Sequence, residues 1–159
     1  MKYATIIPND IVNGEGVCVS LWMQGCPHRC KGCHNSAMWS FEGGIKKPDH
    51  EVINEINEAL IANGVHRNFS ILGGEPLCEE NIRDTALAVL YVKINHPTSK
   101  IFIWTGYLLD ELSYDFPYSV IRSYADVIIE GPYVESLRDT SLKLRGSSNQ
   151  RILYKNVDF

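Results

Sequence analysis

The sequence predicts an α/β protein, an incomplete (βα) barrel open along one side with a mainly parallel sheet. Three observations predict it. Segments of strand character alternate with segments of helical periodicity, the pattern that yields parallel sheets. Several strands run straight into glycine-bearing loops, Gln24-Gly25, Gly73-Gly74, Thr105-Gly106 and Gly131, as on the active face of βα proteins. At 159 residues the chain is well short of the about 250 that a closed eight-stranded barrel takes. That length suits one domain over residues 1–159, with a core that needs no disulfides.

Tyr3 to Ile7 is β-prone and stops at Pro8, and Asn13-Gly14-Glu15-Gly16 makes a turn. Val17 to Met23, apolar and aromatic, reads as a strand ended by Gln24-Gly25. Ser36 to Phe41 is a short turn or helix before a Gly43-Gly44 loop. Pro48-Asp49 opens a helix whose stripe of Val52, Ile53, Ile56, Ala59 and Leu60 recurs at helical spacing, and Asn63-Gly64 stops it. Phe69 to Leu72 is a short strand. A second helix runs from Glu79 to Asn95, with Ile82, Ala86, Val89 and Lys93 on one side and Pro97 beyond. Lys100 to Trp104 is an apolar strand, and Leu108 to Tyr124 is helical in pieces broken at Pro117. Asp126 to Ile129 and Arg151 to Tyr154 are the remaining strands.

A hydrophobic fraction of 45% and a charged fraction of 21% are those of a soluble globular protein. A net charge of −4 and a pI of about 5.7 argue against a general nucleic-acid binder. No apolar run reaches the length of a membrane span. Met1 to Asp10 lacks the basic-then-apolar layout of a signal peptide, so a cytoplasmic location is expected. Five cysteines, an odd count with three bunched together, fit a reducing compartment and metal or redox use.

The bunched cysteines are Cys26, Cys30 and Cys33, in a C-x3-C-x2-C loop just after a strand's carboxyl end. Three thiolates on one short loop can turn inward around an iron–sulphur cluster, which normally takes four cysteines. With only three, one corner stays open for a small molecule, the logic that separates catalytic from structural zinc sites. The alternative is structural zinc completed by His28, His34, Cys18 or Cys78. Such sites usually need two C-x2-C or C-x2-H pairs, and this chain has one. Gly73-Gly74-Glu75-Pro76 follows the next strand on the same face. Its glycines let backbone approach a ligand, and Glu75 adds negative charge or loop support.

The three-cysteine loop followed by a strand ending in G-G-E-P resembles the radical S-adenosylmethionine superfamily. Within it, the chain is similar to the activating enzymes of anaerobic ribonucleoside-triphosphate reductase. Asn13-Gly14-Glu15-Gly16, Gln24-Gly25-Cys26, Cys33-His34-Asn35, Trp104-Thr105-Gly106-Tyr107 and Arg145-Gly146-Ser147-Ser148-Asn149-Gln150 all fit that family, so the resemblance spans nearly the whole chain. Gly32 stands where most of the superfamily has an aromatic residue, as in this subfamily, and Cys18 where the family often has arginine. Cys18 and Cys78 are assigned to packing.

The resemblance implies a barrel of the radical S-adenosylmethionine type. Cys26, Cys30 and Cys33 would hold three irons of a [4Fe-4S] cluster, and the amino and carboxylate groups of S-adenosylmethionine would chelate the fourth. It implies cofactor contacts from Gly32, Cys33 and His34 and from Gly73, Gly74 and Glu75, and assigns no catalytic residue beyond cluster and cofactor. The implied reaction cleaves S-adenosylmethionine reductively to a 5′-deoxyadenosyl radical, which takes hydrogen from a glycine of the reductase and leaves a glycyl radical. The implied partners are that glycyl-radical subunit and a one-electron donor such as flavodoxin or ferredoxin, with no nucleic acid or membrane and a homodimer left open. The rivals are another radical S-adenosylmethionine enzyme, or a non-enzymatic iron–sulphur or zinc module. Arg138, Lys143, Arg145 and Arg151 form a basic run that reads as a solvated face, with carboxylate or partner contact as the alternative.

Overall fold

The computed structural model describes residues 1–159. Its strands are β1 (Lys2–Asp10), β2 (Cys18–Met23), β3 (Ile45–Lys46), β4 (Asn68–Gly73), β5 (Ile101–Trp104), β6 (Val127–Glu130) and β7 (Arg151–Tyr154). Its helices are α1 (Asp49–Ile61), α2 (Ile82–Asn95) and α3 (Tyr118–Tyr124), with short 3-10 turns between elements. All seven strands form one sheet in the order β3-β1-β2-β4-β5-β6-β7. β2, β4, β5 and β6 run parallel, while β1, β3 and β7 join antiparallel at the two sides. The parallel expectation therefore holds for the centre of the sheet. The end strands β3 and β7 do not pair with each other, so the sheet is open.

Alternation along the strands sorts the two faces. Val19, Leu21 and Met23, Phe69 and Ile71, Ile101 and Ile103, and Ile128 share one core with Val52, Ile56 and Leu60 of α1, Ala86, Val89 and Val92 of α2, and Ile121 of α3. All three helices thus cover the same face. On the other face Phe102, Val127 and Ile129 pack with Trp104, Leu144 and Ile152, under the C-terminal segment instead of a helix. No helix is long and apolar enough to cross a membrane.

Two differences from the expected elements have physical reasons. β1 continues through Pro8 to Asp10, because its pairing with β2 is irregular between Ile7 and Asp10 and its pairing with β3 involves only Lys2 and Tyr3. A proline without an N–H is tolerated in such a stretch. α2 begins at Ile82, not Glu79, because Asn81 is held outside the helix by bonds from its amide to the carbonyls of Gln24, Gly25 and Glu75.

Candidate functional site

Parallel pairing brings the carboxyl ends of β2, β4, β5 and β6 to one edge of the sheet, where ligands of open α/β sheets bind. β2 feeds the cysteine loop there. Gly25 N donates to Met38 O at 2.8 Å and Cys26 N to Trp39 O at 3.1 Å, which closes the loop at its neck. Inside it, Cys33 N donates to Cys30 O at 3.1 Å, and Arg29 and Gly32 take left-handed conformations at φ 49° and 74°. A Cβ on Gly32 would lie 2.6 Å from Glu135 Oε1, a half-exposed side chain that can swing aside, so the constraint at this position is the left-handed backbone, which favours glycine.

Gly73-Gly74-Glu75 packs directly against the entry to that loop. Glu75 N donates to Gly25 O at 2.8 Å, and a Cβ on Gly74 would lie 2.3 Å from the same oxygen. Glu75 itself is 1% exposed. Its Oε2 accepts from His28 Nε2 at 2.9 Å and Gly106 N at 2.7 Å, and its Oε1 from Leu77 N at 2.9 Å and Thr105 Oγ1 at 2.8 Å. The cysteine loop, the β4 end and the β5 end therefore meet on one carboxylate.

A cavity of about 500 Å³ opens over this junction, within the range of roughly 300–1,000 Å³ typical of small-molecule sites. Cys26, Cys30, Cys33, His34, Gly73, Gly74 and Glu75 all line it; Gly32 lies on the loop but does not. Cys18 and Cys78 are buried away from it. Burial pushes the Cys78 thiol up to about 12 and likewise raises Cys18; their place outside the cavity is what removes both from the donor set. Burial also raises the Cys26 thiol, with the Glu75 charge adding to the effect.

Sequence reasoning left out the far wall. Trp22 and Trp39 line the cavity, as do Tyr133, Arg138 and Arg145. Of the basic run only Arg138 and Arg145 face it; Arg151 pairs with Glu130. The Arg145-to-Gln150 stretch is a knot that shapes this wall. Gln150 Oε1 accepts from Gly146 N at 2.9 Å and Ser147 N at 3.2 Å, while its amide donates to Gly131 O at 3.0 Å. Trp104 Nε1 donates to Leu144 O at 2.8 Å and ties the wall to β5. In the sequence the basic run and the stretches around Trp104 and from Arg145 to Gln150 pointed to this wall, while nothing marked Trp22, Trp39 or Tyr133 as part of it.

The donor set fits a cluster better than a single ion. No three histidine, cysteine or acidic side chains converge closely enough to hold one metal ion, as mononuclear zinc requires. Thiolates spread around a loop suit a cluster, in which each iron takes its own cysteine. Three buried donors without a protein partner, Trp22 Nε1, Trp39 Nε1 and Arg145 Nε, belong to side chains of this cavity, against one elsewhere, Tyr118 OH. Orphaned donors cost about 1–3 kcal/mol each, and their gathering here marks a place completed by something other than the chain.

The family model described as "4Fe-4S single cluster domain" matches residues 12–153. A Haemophilus influenzae protein named anaerobic ribonucleoside-triphosphate reductase-activating protein is 37% identical over 155 residues, 96% of this chain and 97% of its own length. Proteins of the same name from Escherichia coli K12 and Enterobacteria phage T4 are 36% and 34% identical, covering 94% and 99% of this chain and 96% of each relative.

Proposed function

The chain belongs to the family of anaerobic ribonucleoside-triphosphate reductase-activating proteins, and from that premise we propose that it activates such a reductase as a radical S-adenosylmethionine enzyme. The observation that carries this reading is the meeting of Cys26, Cys30 and Cys33 with Gly73-Gly74-Glu75 on one cavity. When bound, the cluster supplies the electron that splits S-adenosylmethionine into methionine and a 5′-deoxyadenosyl radical able to take hydrogen from a glycine of the reductase.

The chain's own residues hold, orient and shield. Cys26, Cys30 and Cys33 would hold three irons as thiolates, and the buried Cys18 and Cys78 would leave the fourth corner without a thiolate. Strand-end carbonyls at Gly73 and Gly74 would accept from the cofactor's ammonium group, with Cys33 and His34 lining the same cavity from the loop, while Gly32, outside the cavity lining, would serve by turning the loop. Trp22, Trp39 and Trp104 give the cavity walls that exclude water, which an unselective carbon radical demands. The open sheet is read as an incomplete barrel, a single domain over residues 1–159, whose uncovered side admits a backbone loop of the partner. The electron comes from a small carrier such as flavodoxin or ferredoxin in the cytoplasm.

The test is anaerobic reconstitution followed by incubation with S-adenosylmethionine, reductant and an anaerobic reductase. A glycine-centred EPR doublet, with one deoxyadenosine per radical, is expected. A brown protein that cleaves S-adenosylmethionine but yields no doublet would leave a different target. A colourless protein with stoichiometric zinc would end the proposal.

A further inference from the structure

We propose that Glu75 and His28 form a latch that positions the cysteine loop, so that Glu75 serves the cluster through His28 and not by touching the cofactor. The proposal rests on the functional reading above for what the loop holds, but the latch itself stands on the geometry of the chain.

Glu75 has no acceptor capacity left to offer a ligand. A carboxylate presents about four lone-pair sites, and four protein donors reach them at 2.7–2.9 Å. Those donors are also what lets a charge sit at 1% exposure, since charge-assisted bonds replace the lost water. With Glu75 as a carboxylate, which only accepts, the hydrogen-bond network assigns the shared proton to His28 Nε2.

His28 lies between Cys26 and Cys30, at the centre of the segment that must hold its shape. Its ring meets Tyr107 edge-on at 4.4 Å, and a Cβ on Gly106 would come within 2.6 Å of its Cδ2, so the ring sits in a fitted slot. The loop's other ion pair, Lys31 with Glu135 at 3.7 Å, is exposed, and such pairs contribute about 0–1 kcal/mol. Of the loop's two side-chain ion pairs, the one at His28 is therefore the one that can hold the segment between Cys26 and Cys30, beyond the backbone bonds at the neck.

The arrangement demands a carboxylate specifically. Each oxygen accepts from one backbone N–H, Leu77 N on one side and Gly106 N on the other. In Glu75→Gln, either orientation of the amide turns an N–H₂ toward a backbone N–H. His28→Gln, in contrast, keeps a nitrogen donor at nearly the position of the histidine Nε2, whereas His28→Ala removes it.

The experiment compares wild type, H28A, H28Q and E75Q in three measurements. These are iron release to a chelator from reconstituted protein, amide exchange over residues 26–33 in the cluster-free chain, and S-adenosylmethionine affinity of the cluster-loaded fraction. H28A and E75Q are expected to release iron at least about tenfold faster, the usual scale for outer-sphere partners of a metal site. Both should also exchange those amides faster, and S-adenosylmethionine affinity of the cluster-loaded fraction should fall by a smaller factor than iron release rises. H28Q should return to the wild-type rates. The proposal is overturned if H28Q behaves like H28A, or if E75Q keeps its iron and loses S-adenosylmethionine. Should E75Q not fold, the H28A and H28Q pair decides the matter, since that side chain is 19% exposed and not part of the core. If the wild-type chain takes up no cluster, the functional reading fails, while amide exchange still judges the latch.

Discussion

Gly74→Ala isolates the contact between the G-G-E-P loop and the entry to the cysteine loop. Gly74 does not occupy the left-handed region, so alanine meets no backbone penalty there. The added Cβ would stand 2.3 Å from Gly25 O, where ordinary contact begins at 3.4 Å, so one of two backbones must move by about 1 Å. That shift breaks the 2.8 Å bond from Glu75 N to Gly25 O. Losing it costs about 0.5–1.5 kcal/mol, and overpacking about 1–3 kcal/mol. The stiffer unfolded chain returns about 0.4–1 kcal/mol. The net is on the order of 2–3 kcal/mol, or a melting temperature lower by roughly 5–10 °C for a chain this long. Circular-dichroism melts of the cluster-free protein measure it, and iron loading after reconstitution should fall in parallel. Gly64→Ala is the control, because a Cβ there has nothing within 4 Å and meets only the cost of φ +65°, about 1–2 kcal/mol. If G74A melted within about 1 °C of wild type, the close approach would not be the constraint that the geometry makes it.

Serine at Cys26, Cys30 or Cys33 is expected to abolish both cluster uptake and deoxyadenosine formation, whereas C18S and C78S should retain the iron, as read by iron analysis and visible absorption. Asp10 is buried, which raises its pKa, but donors from Ser20, Asn13 and the Val12 backbone outweigh this and hold it below the usual carboxylate range. Its stabilisation is therefore complete above the ordinary value of about 4 and fades as pH falls through the lower folded value. Denaturant titrations of wild type and D10N should differ by about 1–3 kcal/mol at neutral pH and converge in acid; a gap that persisted in acid would contradict the assignment. W104F removes the indole donor to Leu144 O, so stability should drop by about 1 kcal/mol and trypsin should cut faster after Arg138, Lys143 or Arg145. Unchanged cleavage would mean that this bond does not hold the wall.

Much of this was legible because it is local. The three-cysteine loop, the stripe of Val52, Ile56 and Leu60, and the strand ends at Gly25, Gly73 and Gly106 are written within short windows, and the structure has them close to where the pattern puts them. The two-residue strand β3 was invisible because it has no alternation to detect and exists only by pairing with Lys2 and Tyr3. The far wall was hidden for a different reason. Trp104 reaches Leu144 across 40 residues and Gln150 reaches Gly131 across 19, so no window of sequence contains both partners. The double role of Glu75 was half legible: the motif marked the residue, but its four donors come from three separate stretches.

The side of the sheet away from the helices explains why a cavity forms there at all. Buried parallel strands normally carry apolar residues on both faces. Here Ser20, Trp22, Ser70 and Trp104 interrupt that pattern on the face opposite the helices. A second helical layer would strand those hydroxyls, and the chain spends them elsewhere. Ser20 Oγ donates to Asp10 Oδ2 at 2.6 Å, and Ser70 Oγ donates to Asn13 O. Asp10 in turn accepts from Val12 N and Asn13 N, fastening the 10–16 loop across this face, and that loop carries Val12 and Asn13 to the cavity rim. The hydroxyls in the amino-terminal halves of β2 and β4 therefore hold the rim in place. The indoles toward the carboxyl ends of β2 and β5 line the cavity beside the cysteines. A sheet face that looks too polar and too aromatic for a helix is thus consistently built to leave room for a ligand.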